Sequence, residues 1–395
     1  MAQEPSKALR LAISVLTCLV FLGLICLPPA AQVLHITPNV PLQENDVNPM
    51  PTMHADFDTL SQVIYKLRRN WLEKNFGLRK LLVRWESIMN VLVLHSCTAF
   101  DAVVAGRKNW LYLAEENPNL NVINDYRVIT PLTSDQLGVW TQIFKERQDW
   151  LEANGIKYML VIAPNKCSIY PEYLPKQFNR VRQRGKLDQM VEALQGAGLD
   201  VLDLRPALLK AKDHLKLYYR TDTHWTPHGA FLAYQAMMAR LKVYFPEFQA
   251  ARSDDFTIIS EPNLLGGLSY MLALGDLFPE SRITYTPKKP HTAREVTGTD
   301  VPLNYFQPLA VYETKDPSLP RAVIFRDSFI HEIIPFLSEH FSRSVYVWPY
   351  PTDAVQTRAF DKKMILQEKP DIVIEEFVER YFTQPPPVHA LAPEE

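Results

Sequence analysis

Glycine is scarce, 13 residues against 31 prolines, and neither GxGxxG nor GxxxxGK[ST] occurs. The tight glycine turns that let backbone amides close around a nucleotide phosphate are therefore missing, and no nucleotide cofactor is expected. Cysteine is sparse as well. Cys18 and Cys26 lie within an apolar run, Cys97 and Cys167 stand far apart, and no CxxC spacing is present to hold zinc. A Cys97–Cys167 disulfide in an oxidising compartment is left open. Charge of one sign is also lacking: 42 basic against 44 acidic residues give a formal net charge of −2. No broad basic footprint exists, so nucleic acid is not expected as a partner.

What is present starts with residues 11–27, an uncharged apolar run near the lower length limit for a membrane-spanning helix. Lys7 and Arg10 precede it, and no basic residue follows until Lys66. The positive-inside rule then keeps the N-terminus in the cytoplasm and puts the body of the protein outside. The Pro28-Pro29-Ala30-Ala31 stretch keeps a cleaved signal peptide open as the alternative. Residues 1–34 are read as this anchor or signal sequence.

Residues 35–105 read as a proline- and asparagine-rich linker followed by a helical segment, 57–93, that includes WLEKNFGLRKLLVRW. Its basic residues, among them Arg79, Lys80 and Arg84, form either a solvated helix face or a contact with an anionic surface. From residue 106 to 383 short apolar runs alternate with amphipathic stretches, the rhythm of an α/β fold with a mostly parallel sheet flanked by helices. The spacing predicts strands at 110–113, 158–163, 199–204, 322–325, 345–348 and 372–375, and helices at 134–154, 186–196, 227–244 and 329–340. Residues 256–319 are rich in proline and read as an irregular insertion; 384–395 read as a disordered tail.

Two segments carry chemistry. In YYRTDTHWTPHGA, residues 218–230, Thr226-Pro227 is a helix start, which puts Asp222 and His224 in the preceding loop. An aspartate two residues before a histidine can bond one ring nitrogen and leave the other free as a base. In PRAVIFRDSFIHEIIPFLSEHF, residues 320–341, an apolar strand ends at Arg326-Asp327-Ser328 and a helical pattern follows at once. A serine on such a turn is exposed at the carboxyl end of a sheet, with helix amides nearby for an oxyanion. Each motif alone is weak: Asp327 or Ser328 could simply cap the helix.

Together the two motifs resemble the alginate O-acetyltransferases and their relatives, along with ENDVNPMP, the FGLR segment, GRKNWLYL and APNKCSIYPEYLP. The resemblance covers nearly the whole exported part. It implies an SGNH-hydrolase-like domain with permuted order, the DxH motif ahead of the serine. It also implies that Ser328 is the nucleophile, His224 the general base and Asp222 its orienting partner. The activity implied is O-acetylation of a cell-surface or exopolysaccharide through an acetyl-serine, with a multispanning membrane acyltransferase as acetyl donor. No cofactor and no metal are implied.

This chain departs from the family pattern twice. Arg326 stands where glycine is usual, and either meets an acidic glycan or supports the turn. No GxND block is visible, so oxyanion donors beyond the Ser328 amide are not identified. Asn165 and Lys166, in a loop after a strand, are the candidates for substrate contact. Competing readings remain: an acetylesterase using the same three residues, a metal-dependent hydrolase using Asp222, His224 and His228, and a non-catalytic scaffold of a polysaccharide export complex. Cys167 as nucleophile, His331 as base and a Glu375, Glu376 or Glu379 carboxylate pair carry less weight.

Overall fold

The computed structural model describes residues 7–34, 78–94, 98–99, 102–117, 120–264, 266–296, 309–348 and 360–382. Cys97, the linker at 35–77 and the tail at 384–395 lie outside them. Two compact units are distinguished, 1–99 with 269–277 and 100–268 with 278–395.

In the first unit a helix, Lys7–Val33, contains an 18-residue stretch, Leu11–Pro28, of mean hydropathy 2.6, long and apolar enough to cross a membrane. Leu11, Leu16, Leu19 and Phe21 are exposed along it, as suits a lipid-facing surface. A second helix, Arg79–Ser87, carries Arg84, which pairs with Asp276 at 2.6 Å and donates to the Ala273 carbonyl at 2.8 Å. Arg84 is thereby engaged within its own unit.

The second unit is built on a seven-stranded sheet. Its strands are β1 (Lys157–Ala163), β2 (Val201–Asp203), β3 (Arg294–Glu295), β4 (Ala310–Glu313), β5 (Arg321–Phe325), β6 (Arg343–Val347) and β7 (Ile372–Val378). Their order is β3-β4-β6-β5-β7-β1-β2. The run from β6 to β2 is parallel, while β3 and β4 close one edge antiparallel. Helices α1 (Ser134–Ala153), α2 (Lys186–Gly196) and α3 (Pro227–Leu241) accompany it.

Alternation along β1 explains why its sequence is almost continuously apolar. Met159, Val161 and Ala163 join one core with Phe231, Tyr234 and Met237 of α3. Tyr158, Leu160 and Ile162 join a second core with Ile143 and Phe144 of α1 and Met190 and Leu194 of α2. A strand covered on both faces has no reason to carry polar residues at every second position.

Three expectations are corrected. Leu111–Leu113 is a strand, but it pairs antiparallel with Val103–Ala105 outside the main sheet. The segment at 256–319 is not irregular throughout: Phe256–Leu264 and Glu280–Pro287 form an antiparallel hairpin, and β3 and β4 also come from it. The helix expected at 329–340 is three short turns, Ser328–Glu332, Ile334–Leu337 and Ser338–His340. Pro335 has no amide hydrogen to give and fits only a first turn, so the helix restarts there.

His340 ends this segment with Nε2 2.8 Å from the Tyr234 hydroxyl, and burial lowers its pKa to about 4 from an ordinary 6.5. Below about 6.5 the unfolded chain takes up this proton and the folded one does not. Stability should therefore fall as pH drops from about 6.5 to about 4. Urea melts across that window should show a shallower decline for His340→Gln than for the parent; identical slopes would dismiss this histidine as a source of acid sensitivity.

Candidate active site

The loop before α3 is pinched at its base. Tyr218 and Trp225 form an antiparallel bridge, Tyr219 N donates to the His224 carbonyl at 3.2 Å, and Thr226 N donates to the Leu217 carbonyl at 2.8 Å. Thr226 caps α3 as expected, its hydroxyl accepting from Gly229 N at 3.5 Å and donating to the Lys216 carbonyl at 2.7 Å. Glycine is needed at 229, because a Cβ there would run into the Leu217 carbonyl.

Within this loop one oxygen of Asp222 accepts from His224 N at 3.0 Å and lies 2.6 Å from His224 Nδ1; the other accepts from Gly267 N at 2.7 Å. Burial favours the neutral acid, but His224 and the two amides outweigh it and hold the Asp222 carboxyl well below the usual carboxylate range. The far nitrogen, His224 Nε2, is 2.7 Å from Ser328 Oγ, across 104 positions of sequence. The imidazole also sits 5.1 Å from the Phe329 ring, and Trp225 Nε1 donates to the Phe329 carbonyl at 3.1 Å.

Ser328 is the first residue after the turn that leaves β5. Asp327, buried, shapes that turn. Its Oδ1 accepts from Phe329 N at 2.9 Å, its Oδ2 from Val378 N at 2.9 Å, and its own amide donates to Glu376 Oε2 at 3.0 Å. The Phe329 amide is thus occupied and cannot serve an oxyanion without breaking the cap.

Two of the expected substrate contacts, Arg326 and Lys166, are buried. Arg326 is 3% exposed; its guanidinium lies 4.6 Å from the Trp348 ring, Nη1 donates to the Asp327 carbonyl at 3.3 Å, and Nε has no hydrogen-bond partner among the described residues. Lys166 is 4% exposed, with Nζ donating to the carbonyls of Tyr219 at 3.0 Å, Arg220 at 3.2 Å and Asp222 at 2.5 Å. Burial brings its pKa down to about 7, with Asp222 and Glu280 pulling the other way. Neither cation lines an open approach to Ser328.

Asn165 is buried too. Its amide donates to Glu379 Oε2 at 2.8 Å, and its side-chain oxygen accepts from Arg380 Nη1 at 3.4 Å, which leaves the Nδ2 hydrogens as the free polar end. Arg380 is a residue the sequence did not single out. It is buried, bonded to Glu116, and lies 5.7 Å from the Phe329 ring. It lies in a short turn, Glu379–Phe382, that follows β7 beside another charged residue, so nothing local distinguished it.

The competing donors do not converge. His228 Nδ1 is bonded to the Tyr285 hydroxyl at 2.7 Å, and among the described residues no group of three or more His, Cys, Asp or Glu could hold a metal ion. Cys167 carries a buried thiol whose pKa burial pushes up, which does not suit a nucleophile; the disulfide left open with Cys97 involves a residue outside those described. His331 is exposed. Glu375 is spent on Arg147 at 2.5 Å and Tyr158 at 2.8 Å, while Glu376 bonds the Asp327 amide on the other side of β7.

Comparison with known proteins adds the lineage. Among relatives, a Pseudomonas aeruginosa protein described as "Probable alginate O-acetylase AlgJ" is 26% identical over 209 residues, 53% of this chain and 50% of its own length. The protein of the same description from Pseudomonas syringae is 32% identical over 35% of this chain and 33% of its own. The chain thus spans half or less of these relatives. Among solved structures, Bacillus cereus PatB1 with a sulfonyl adduct superposes with a TM-score of 0.53 at 16% identity, covering 72% of this chain and 96% of that one, which shows the shared fold. Residues 103–301, which contain Asp222 and His224 and stop short of Ser328, match the family described as the SGNH hydrolase-like domain of the acetyltransferase AlgX. The chain belongs to that family, and its fold is SGNH-hydrolase-like.

Proposed function

We propose that the chain is an O-acetyltransferase that places acetyl groups on hydroxyls of a cell-surface or exported polysaccharide, with Ser328, His224 and Asp222 as its reacting set. The observation that carries this is the continuous line from Asp222 through both nitrogens of His224 to Ser328 Oγ, with distances of 2.6 and 2.7 Å. Asp222 holds the Nδ1–H tautomer, so Nε2 is free to accept the serine proton. The Ser328 oxygen then attacks the acetyl carbonyl, the donor's leaving group departs with that proton, and an acetyl-serine remains. In the second half, His224 takes the proton of a sugar hydroxyl, whose oxygen attacks the acetyl-serine and releases Ser328 with its proton restored.

The same chain of bonds serves an esterase, so direction rests on the family and on the apolar helix. A span at Leu11–Pro28 would keep the enzyme beside a membrane donor and raise its effective concentration. We place the chain in the inner membrane with its 106–383 domain in the periplasm, supplied by a multispanning acyltransferase. Arg326 and Lys166 support the site from within, and Asn165 is kept as a candidate for substrate contact.

The test is turnover of an activated aryl acetate by the purified chain. Consumption should be slow alone and accelerate when uronic-acid or neutral oligosaccharides are added, with acetylated sugar among the products. If acceptors never accelerate turnover and acetylated glycans are stripped instead, the protein is an esterase.

A further inference from the structure

The backbone of residues 219–222 is gripped from two sides by opposite charges. On one side the carbonyls of Tyr219, Arg220 and Asp222 converge on the buried Lys166 Nζ. On the other, Glu280, whose side chain is fully buried, accepts from Arg220 N at 2.8 Å and Thr221 N at 3.0 Å, and from the Thr221 hydroxyl at 2.6 Å. Three further bonds hold the segment: the Thr221 carbonyl accepts from Leu268 N at 3.0 Å, the Arg220 carbonyl also accepts from Leu111 N at 2.8 Å, and Tyr219 N donates to the His224 carbonyl. A Cβ on Gly266 would strike the Thr221 carbonyl and hydroxyl, so the chain passes there without slack.

Three carbonyl dipoles aimed at one point repel one another, and two amides aimed at another do the same. Each arrangement holds only with a charge of the right sign at its focus. In its ammonium form, which prevails below its pKa of about 7, Lys166 presents three N–H donors to three carbonyls. Glu280 is held ionised: burial favours its neutral form, but Lys216, Thr221 and the Arg220 amide outweigh that and lower its pKa. Lys216 also forms an ion pair with it. Among the described residues neither Lys166 nor Glu280 bonds Ser328 or His224; both bond this backbone, and the Lys166 charge also attracts the Asp222 carboxylate.

Resting on the acyl-transfer reading above, we infer that Lys166 and Glu280 are a paired positioning clamp that fixes the 219–222 backbone and so keeps Asp222 and His224 in register with Ser328. They are not substrate contacts. The reacting atoms must be held to within a fraction of an ångström for the serine to be activated, and a loop carries such precision only when its own polar groups are locked.

The experiment uses the whole chain and an activated aryl acetate. Lys166→Met and Glu280→Gln should each lower kcat by about 30-fold or more with KM changed less than about threefold, because ground-state contacts are untouched. The decisive comparison is with Asp222→Asn. A clamp that works through Asp222 has little left to lose once that carboxylate is gone, so Lys166→Met/Asp222→Asn should be within about threefold of Asp222→Asn alone. A general loss of stability would instead multiply the two effects, and that result overturns the clamp. So does a kcat within about twofold of the parent in either single variant. If Lys166→Met does not fold, Thr221→Val removes one bond to Glu280 at nearly constant shape and should lower kcat about threefold to tenfold; parental turnover in Thr221→Val would again overturn the clamp. Ser328→Ala with full turnover would sink the triad and the clamp together, whereas an inactive Ser328→Ala beside a fully active Lys166→Met sinks the clamp alone.

Discussion

Ser328→Ala and His224→Ala should each lower acetyl-ester turnover by about 10⁴-fold or more, and the double variant should be little worse than either single. Without Ser328 Oγ there is no atom to carry the acetyl group. Without His224 the hydroxyl 2.7 Å from Nε2 keeps its proton and attacks poorly. Asp222→Asn should leave more activity, about 10²-fold to 10⁴-fold below the parent, because an amide oxygen can still accept one bond while its NH₂ faces a group that is itself a donor. The carboxyl of Asp222 lies well below the usual range, so it stays ionised wherever the enzyme is assayed. The sign follows: its stabilising contribution is present above the ordinary value of about 3.8 and is lost only as pH falls toward the depressed one. Mass spectrometry after brief exposure to the aryl acetate should find an acetyl adduct on Ser328 that is absent from Ser328→Ala. Chelators should leave the rate unchanged. Full turnover by Ser328→Ala, or loss with EDTA and recovery with zinc, would refute the serine mechanism.

The readable parts of this chain were the local ones. Thr226-Pro227 marks a helix start, so the preceding loop and its Asp222 and His224 follow from four or five adjacent residues. The apolar run before Arg326 marks β5 for the same reason, and it places Ser328 at a carboxyl-terminal strand end. What joins the two motifs is not local: β5 sits between β6 and β7, and only the sheet order turns a separation of 104 residues into a hydrogen bond.

Glu280 was not legible at all. It opens a hairpin strand in which Arg282, Thr284 and Thr286 are exposed and Ile283 and Tyr285 only half-buried, so the alternation after Glu280 is weak and a buried carboxylate at its start is unannounced. Its strand partner is the other arm of the same hairpin, and the loop it grips lies about 60 residues earlier. Lys166 misled for a related reason. A lysine in a loop after a strand is usually solvated, and nothing within ten residues signals that three carbonyls from 219–222 will enclose it. Arg326 differs again: its guanidinium sits 4.6 Å from the ring of Trp348, 22 positions away.

Asp327→Ala should cost both stability and activity, and the two losses should separate experimentally. The carboxylate is buried and accepts from two backbone amides, Phe329 N and Val378 N, each at 2.9 Å. Deleting it leaves two donors in a place water does not reach, at about 1 to 3 kcal/mol apiece, so unfolding free energy should fall by about 2 to 5 kcal/mol. The functional loss has another origin. One of those bonds caps the turn that begins at Ser328, and the other ties that turn to the end of β7; without them the serine is no longer fixed against His224. A displacement of about 1 Å at a reacting atom is worth about 10²-fold in rate, so kcat should drop by that amount even at temperatures where melts show the variant fully folded. Asp327→Asn keeps one acceptor and turns an NH₂ toward a backbone donor, and should fall between the parent and Asp327→Ala in both measurements. Glu332→Ala, four residues past Ser328 and exposed, is the control that should change neither. Parental melting and parental kcat in Asp327→Ala would show that the turn is held by β5 and β7 alone and that the aspartate is dispensable to it.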